Sequence, residues 1–232
     1  MVVKAQQEDP KNGQEALNQL CTAYWMPLYA FARRKGHSPE DSEDLTQGFL
    51  SHFISKDSFA GVDRNKGRLR NYLRRSMDYY MRDQWRRQTT QAKGEGKGVV
   101  RGLSVEQAEQ IISNDSAWLT ESPEEAFQRR WAMVLLDRVM ERLAQHYSDK
   151  GEPQMFEQLK PFLEGTRHND ESYAECAEKL GLTANVIRVR TTRLRKRFRA
   201  LLIEEVRATT SDEEVEDELR FLFTVFQRRP AA

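Results

Sequence analysis

Apolar residues recur along most of the chain at steps of three and four positions, which is the period of an amphipathic helix. The first stripe consists of Leu17, Leu20, Tyr24, Leu28 and Phe31. Comparable stripes occupy residues 39–54, 68–90, 123–139, 156–163, 183–201 and 215–226. No segment of any length alternates apolar and polar residues, as a half-buried strand would. The pattern therefore predicts an all-α protein.

Capping and turn residues mark the ends of several of these helices. Ser38 and Ser122 are each followed by a proline and two acidic residues. This order supplies a hydroxyl acceptor, a proline at the first helical position and negative charge beside the positive end of the helix dipole. Gly36 and Gly181 stand where a helix must end, and glycine adopts the positive φ of such ends at little cost. These residues predict two helix starts and two helix ends.

A polar stretch that contains glycine separates two helical regions. Three glycines alternate with charged residues in residues 93–98, and the sequence then stays polar and acidic to residue 121, apart from a weakly helical stretch near 105–112. Glycines at that spacing cannot sustain a helix. The sequence therefore predicts two helical domains joined by a flexible linker. The predicted boundaries are 1–92 for the first domain, 93–121 for the linker, 122–205 for the second domain and 206–232 for an acidic extension with an amphipathic helix.

The net charge conceals a segregation of charge along the chain. Thirty-seven Lys and Arg residues against 36 Asp and Glu residues give a formal net charge of +1. Basic residues nevertheless dominate residues 64–101 and 188–199, and acidic residues collect in 106–125 and 204–218. Two basic surfaces on one chain indicate two contacts with a polyanion, most simply nucleic acid. For each block taken singly, a solvated helix face is the alternative.

Residues 172–199 have the pattern of a helix-turn-helix. A capping box begins at Ser172, small Ala177 precedes Gly181 by four residues, and β-branched Ile187 follows on the next helix. This spacing lets two helices cross closely around a tight turn. The second helix of such a motif presents side chains to base edges in the major groove. Candidate DNA contacts on its polar side are Thr183, Asn185, Arg188, Thr192, Arg195 and Lys196. A helical hairpin whose arginines only solubilise it is the alternative.

Three stretches together carry a family resemblance. Residues 20–34, LCTAYWMPLYAFARR, are similar to a conserved first helix, and residues 43–50, EDLTQGFL, are similar to a characteristic DLTQ-x-F core. Residues 173–198, from YAECAEKLGL to RLRKRF, are similar to a carboxy-terminal helix-turn-helix. In this order and at this separation they resemble the sigma factors of bacterial RNA polymerase of the extracytoplasmic-function (ECF) class. Asn185 and Val186 depart from the small Gly-Ala pair usual in that family.

The resemblance implies partners and roles. Core RNA polymerase, through its β′ coiled coil and β flap, and promoter DNA would be the partners, and an anti-sigma factor is a further partner that such proteins can have. The DLTQ helix would meet polymerase through Asp44, Gln47, Gly48 and Ser51. The loop 56–67 and the helix after it would capture and melt the minus-ten promoter element, and the helix-turn-helix would recognise the minus-thirty-five element. The residues expected to act at minus-ten are Phe59, Arg70, Arg74, Arg75, Tyr79, Arg82 and Arg86.

Other aromatic and apolar residues are expected to have structural roles. Core packing is the preferred expectation for Tyr72, Tyr80 and Trp85, because large aromatic side chains usually lie largely inside a domain. The amphipathic helix of the tail is expected to cover the carboxy-terminal domain, with a docking site for a regulator as the alternative.

Two other function classes fit the sequence less well. A helix-turn-helix regulator that binds duplex DNA without polymerase explains residues 172–199 but leaves the DLTQ helix unexplained. An α-helical enzyme is disfavoured, because the four histidines are scattered and no phosphate-binding glycine loop follows a strand. We therefore expect no catalytic site, no cofactor and no metal.

Cellular location follows from composition. No apolar run approaches the roughly 20 residues of a membrane span, and the first residues lack the apolar stretch of a secretory signal. Cys21 and Cys176 lie far apart, so neither a disulfide framework nor a zinc module is expected. The sequence thus predicts a cytoplasmic protein without membrane insertion.

Overall fold

The computed structural model describes residues 10–55, 68–90, 102–163 and 170–227, and these residues contain helices and no strand. The prediction of an all-α protein is confirmed for this part of the chain. The α-helices are α1 Pro10–Arg34, α2 Pro39–Ser55, α3 Leu69–Thr90, α4 Val105–Ser113, α5 Pro123–Asp149, α6 Pro153–Leu159, α7 Asp170–Leu180, α8 Ala184–Arg207 and α9 Val215–Gln227. Short 3-10 helices occupy Ser116–Leu119, Lys160–Phe162 and Asp212–Glu214. The predicted loop 56–67, with Phe59, lies outside the described residues.

The chain divides into two compact units, and the division differs from the predicted domains. Unit 1 consists of Met1–Val134 together with Val206–Ala232, and unit 2 consists of Leu135–Glu205. The acidic extension therefore belongs to the amino-terminal unit, whereas the sequence led us to expect it on the carboxy-terminal domain. Both divisions of the chain fall inside helices, one in α5 and one in α8.

Helices α1, α2 and α3 supply most of the core of unit 1. Large apolar side chains at helical spacing are almost fully buried, among them Trp25 and Leu28 from α1, Phe49 from α2 and Leu73 from α3. Phe127 of α5 joins this core, and its ring lies edge-on to Phe31 at a centroid distance of 6.4 Å. The predicted stripes of α1 and α2 thus point to the interior.

The segment expected to be a flexible linker is partly folded in unit 1. Ser104 caps α4 in a capping box with Gln107, and Ala108 and Ile112 are buried. Gly102 passes so close to Trp25 that a Cβ there would overlap the indole ring. Burial and capping therefore outweigh the polar composition that suggested a linker.

The helix ends follow the predicted capping chemistry. Ser122 Oγ accepts a hydrogen bond from the Glu125 amide (3.2 Å), and the Glu125 carboxylate accepts one from the Ser122 amide (3.0 Å). Gly181 ends α7 with φ of +64°. The Leu182 amide then donates to the Ala177 carbonyl at 2.9 Å, and the Gly181 amide donates to the Glu178 carbonyl at 3.2 Å. This pair of bonds is a Schellman motif, which requires the left-handed conformation found at the glycine.

Unit 2 is built around the facing apolar sides of α5, α6, α7 and α8. Phe156, Phe162 and Ile187 are almost fully buried there. Helix α7 begins at Asp170, so Ser172 lies inside the helix and the capping box predicted at Ser172 is wrong. The turn that follows α7 and the start of α8 lie where the sequence placed them.

No helix among the described ranges combines the length and the apolar composition that a membrane span requires.

Candidate nucleic-acid interfaces

One side of α3 carries exposed aromatic and basic side chains. These residues recur at three- and four-residue steps, so they share a face of the helix: Tyr72, Arg75, Tyr79, Arg82 and Arg86. Tyr72 is 42% exposed and Tyr79 is 70% exposed. Arg82 forms an ion pair at 2.6 Å with Asp78 on the preceding turn and remains largely in solvent. We call these five residues the α3 face.

Core packing was the wrong expectation for two of the three aromatic residues considered. Trp85 is 68% exposed and Tyr72 lies at the surface, because smaller apolar side chains such as Leu73 and Met77 already fill the buried side of α3. Tyr80 does turn inward, and its ring lies 5.8 Å from that of Phe49. Sequence reasoning therefore failed to identify Trp85 as a surface residue. The basic residues next to it in the sequence, Arg86 and Arg87, could have indicated its exposure.

The predicted minus-ten residues separate into exposed and buried groups. Arg75, Tyr79, Arg82 and Arg86 are exposed, as contact with a nucleic acid strand requires. Arg70 is not, because its side chain is only 3% exposed and is paired with buried Glu218. The assignment of Arg70 to strand binding is therefore corrected to a structural role.

Arg74 is intermediate between these groups. Its Nη1 donates to the Glu124 carboxylate at 3.0 Å, and its guanidinium lies 6.0 Å from the ring centre of Phe31. This side chain therefore joins α3 to the start of α5 inside unit 1.

A second polar face lies on α8 in unit 2. The six residues predicted to contact DNA are all exposed: Thr183, Asn185, Arg188, Thr192, Arg195 and Lys196. The opposite side of the helix is buried through Ile187, Thr191 and Leu194. The spacing of apolar residues therefore orients the helix as the sequence predicted. We call the six exposed residues the α8 face.

Several members of the α8 face make local contacts that fix their positions. Thr183 Oγ1 accepts a hydrogen bond from the Val186 amide at 3.4 Å, so this residue caps the helix. Thr192 Oγ1 donates to the Arg188 carbonyl at 3.0 Å. Arg195 Nη2 donates to the carbonyl of Phe162 at 3.0 Å. These contacts order the face without burying it.

The residues predicted to meet polymerase lie along α2. Asp44 is exposed, while Gln47 and Ser51 are half-buried. Gln47 donates to Glu43 one turn earlier at 2.9 Å. The pKa of Glu43 is raised above its ordinary value, mainly by partial burial and secondly by the negative charge of nearby Asp44. Gly48 lies against α3, since a Cβ there would lie 2.6 Å from the hydroxyl of Tyr80.

Neither cysteine is suited to chemistry at a surface. Cys21 and Cys176 are both buried, and burial raises the pKa of the Cys21 thiol to about 12. A thiol with so high a pKa is a poor nucleophile and a poor metal ligand at neutral pH. Within the described ranges, no group of three or more His, Cys, Asp or Glu side chains is arranged to hold a metal ion.

Comparison with protein-family models, with curated proteins and with solved structures finds no match for this chain.

Proposed function

We propose that this protein is a sigma factor of bacterial RNA polymerase, of the ECF type, which directs the core enzyme to promoters and starts transcription. One observation carries the proposal: each compact unit has an exposed basic helical face, and the two faces differ in chemistry. The α3 face interleaves aromatic rings with arginines, whereas the α8 face combines arginine and lysine with small polar side chains.

The α3 face suits an unpaired nucleic acid strand. Aromatic side chains stack on exposed bases without regard to sequence, and basic side chains follow the phosphates. The rings of Tyr72 and Tyr79 are exposed on a helix whose buried side contains Leu73 and Met77. A rigid helix that presents such rings supports the binding of a melted minus-ten element.

The α8 face suits the major groove of duplex DNA. The groove admits an α-helix, and arginine donates two hydrogen bonds to guanine, while other basic side chains hold phosphates. Arg188, Arg195 and Lys196 share the exposed side of α8. The Schellman turn at Gly181 and the cap at Thr183 set where this helix begins. These features support recognition of the minus-thirty-five element.

The α2 residues would complete the function by binding polymerase. Asp44 extends into solvent beside half-buried Gln47 and Ser51, and these are the positions at which the resemblance implies contact with the β′ coiled coil. Catalysis of RNA synthesis would then belong to the core enzyme.

Reconstitution with bacterial core RNA polymerase tests the proposal. The full chain is added to core enzyme and a library of genomic fragments from a bacterial source, and the transcripts are sequenced. We expect discrete start sites that depend on the added chain. Asp44→Arg is expected to abolish co-purification with core polymerase, and Arg188→Ala to leave co-purification intact but weaken promoter selection.

A matched control is Arg220→Ala, since Arg220 is an exposed arginine on α9 outside both faces. It is expected to leave transcription unchanged. The proposal fails if the full chain neither associates with core polymerase nor supports initiation. Sequence-specific duplex binding by the chain alone, combined with that failure, would instead identify a stand-alone transcription regulator.

A further inference from the structure

Arg188 of the α8 face lies over the ring of Tyr173, which comes from α7. The guanidinium carbon is 5.4 Å from the ring centre, within the range of a cation–π interaction. The Tyr173 ring in turn stacks on Phe162, with centroids 4.6 Å apart and planes inclined by 14°. Phe162 is only 1% exposed. The three side chains thus form a stack that leads from the core of unit 2 to the surface of α8.

Phe162 also holds a second arginine of the same face. Its carbonyl accepts the hydrogen bond from Arg195 Nη2 at 3.0 Å. Arg195 follows Arg188 by seven residues, which is two helical turns or about 10 Å. That separation is about three base-pair steps of duplex DNA. One buried residue therefore contacts Arg195 directly and Arg188 through Tyr173, at two helix positions about three base-pair steps apart.

A stacked arginine is well suited to donate hydrogen bonds. An aromatic ring beneath a guanidinium covers its face and does not compete for the N–H groups, which lie in the guanidinium plane. Holding the group in place beforehand also reduces the conformational entropy lost on binding. Lysine would not gain the first of these benefits, because its ammonium has no plane in which all N–H groups point away from the ring.

We infer that Tyr173 is a positioning residue that holds Arg188 ready for a base edge and thereby sets the sequence discrimination of the α8 face. This inference rests on the proposed function, since it assigns Tyr173 a part in reading the minus-thirty-five element. The residue acts through Arg188 and makes no base contact of its own.

The first experiment measures sequence discrimination by the full chain bound to core polymerase. A duplex selected from a random library is compared with a scrambled duplex of the same composition, and the ratio of affinities is recorded. Tyr173→Leu is expected to lower this ratio about tenfold, because a base contact through Arg188 is weakened. Tyr173→Phe keeps the ring and is expected to retain the ratio of the unsubstituted chain.

A double-mutant cycle separates positioning from a direct or structural role. In an Arg188→Ala background, Tyr173→Leu is expected to cause no further loss, because the residue through which it acts is absent. An additional loss in that background overturns the inference. Equal losses for Tyr173→Phe and Tyr173→Leu also overturn it, since the hydroxyl would then be the group that matters.

The contact itself is tested without DNA. In an NMR spectrum of the full chain labelled with ¹⁵N-arginine, the Hε resonance of Arg188 is expected to be displaced by the ring current of Tyr173. Tyr173→Leu should remove that displacement and Tyr173→Phe should keep it. An Hε resonance that does not respond to Tyr173→Leu overturns the inference, whatever DNA binding shows. Failure of the unsubstituted chain to select any duplex, with a normal Hε response, overturns the proposed function and the role of Tyr173 in discrimination together.

Discussion

Arg70 and Glu218, 148 residues apart in the sequence, form a buried ion pair in unit 1. Arg70 Nε and Nη2 donate to the two carboxylate oxygens of Glu218 at 2.5 and 2.9 Å. The same guanidinium lies 4.8 Å from the ring centre of Trp131 and 4.1 Å from that of Phe221. Arg68 Nε approaches the Glu218 carboxylate to 2.9 Å as a second positive charge. Helix α9 is therefore bound to the start of α3 by ion pairs and by the cation–π contact of Arg70 with Phe221.

Removing one member of this pair should destabilise unit 1 strongly. Glu218→Ala leaves the buried guanidinium of Arg70 without its carboxylate, and breaking a buried pair in this way costs about 3–5 kcal/mol. We expect the free energy of unfolding, measured in urea by tryptophan fluorescence, to fall by that amount. Limited proteolysis should also cleave the chain near α9 in the variant.

Two further variants establish that the loss comes from the unpaired charge. Glu216→Ala removes an exposed carboxylate from the same helix and is expected to change stability by no more than about 0.5 kcal/mol. Arg70→Met combined with Glu218→Leu should recover most of the loss, because apolar replacements for both partners are often neutral. Equal destabilisation by Glu216→Ala and Glu218→Ala would contradict the assignment.

The contact of Glu109 on α4 with Arg33 and Tyr29 on α1 should make the free energy of unfolding depend on pH. Glu109 accepts hydrogen bonds from Arg33 Nε at 2.7 Å and from the Tyr29 hydroxyl at 2.6 Å. The hydrogen bond from Arg33 is the main cause that lowers the pKa of Glu109 below its ordinary value of 4.5. A carboxylate with a lowered pKa in the folded protein contributes stability that is fully present above about pH 4.5 and is lost as the pH falls through the folded pKa.

Thermal melting of the unsubstituted chain and of Glu109→Gln between pH 7 and pH 3 measures this contribution. We expect the unsubstituted chain to melt at the higher temperature at pH 7, and the difference to shrink as the pH falls below about 4.5. A difference that stays constant over the whole range would show that the charge of Glu109 contributes nothing to docking.

The turn between α7 and α8 should tolerate few residues at Gly181. Gly181→Ala forces a side chain into the left-handed region at φ +64°, at a cost of about 1 kcal/mol. No atom lies within 4 Å of the position that a Cβ would occupy, so the cost is one of backbone conformation alone. Gly181→Asn should be milder, since asparagine adopts this conformation more readily. Equal melting temperatures for the Ala variant and the unsubstituted chain would refute the argument.

Removing an aromatic ring from the α3 face should weaken the binding of single-stranded DNA without changing the free energy of unfolding. Tyr79→Ala is expected to weaken binding of a single-stranded oligonucleotide by about 1–3 kcal/mol, the contribution of one stacked base. The measurement is fluorescence anisotropy with the full chain, alone and with core polymerase. Because Tyr79 is 70% exposed, unfolding should be nearly unchanged.

Phe223→Ala is the matched control for this experiment. Phe223 is an aromatic residue of unit 1 that is 62% exposed but lies on α9, outside the α3 face. Its removal should leave oligonucleotide affinity as it was. A similar loss for both variants would mean that the effect is not specific to the α3 face.

Local patterns in the sequence predicted the helices well. The spacing of Ile187, Thr191 and Leu194 indicated which side of α8 is buried, and this identified the exposed α8 face. The same logic placed Leu73 inside, but the expected burial of Tyr72 and Trp85 was wrong. Size and aromatic character favoured burial of Trp85, whereas the buried side of the helix was already filled by other residues.

The segment around α4 shows a signal that composition obscured. Ser104 and Gln107 have the spacing of a capping box, and the structure contains that box. The polar, acidic character of residues 93–121 nevertheless suggested a linker. A few buried side chains and the Arg33–Glu109 ion pair are enough to fold residues 102–119 onto unit 1.

By itself, the sequence determined the all-helical class, most helix ends and the exposed side of α8, because periodicity and capping act between residues a few positions apart. Only the tertiary structure decided that Arg70 is buried, that α9 belongs to the amino-terminal unit and that Tyr173 lies beneath Arg188. Those outcomes depend on residues that are far apart in the sequence and meet only in the folded chain. The residues next to Arg70 in the sequence give no indication that Glu218, 148 positions away, will pair with it.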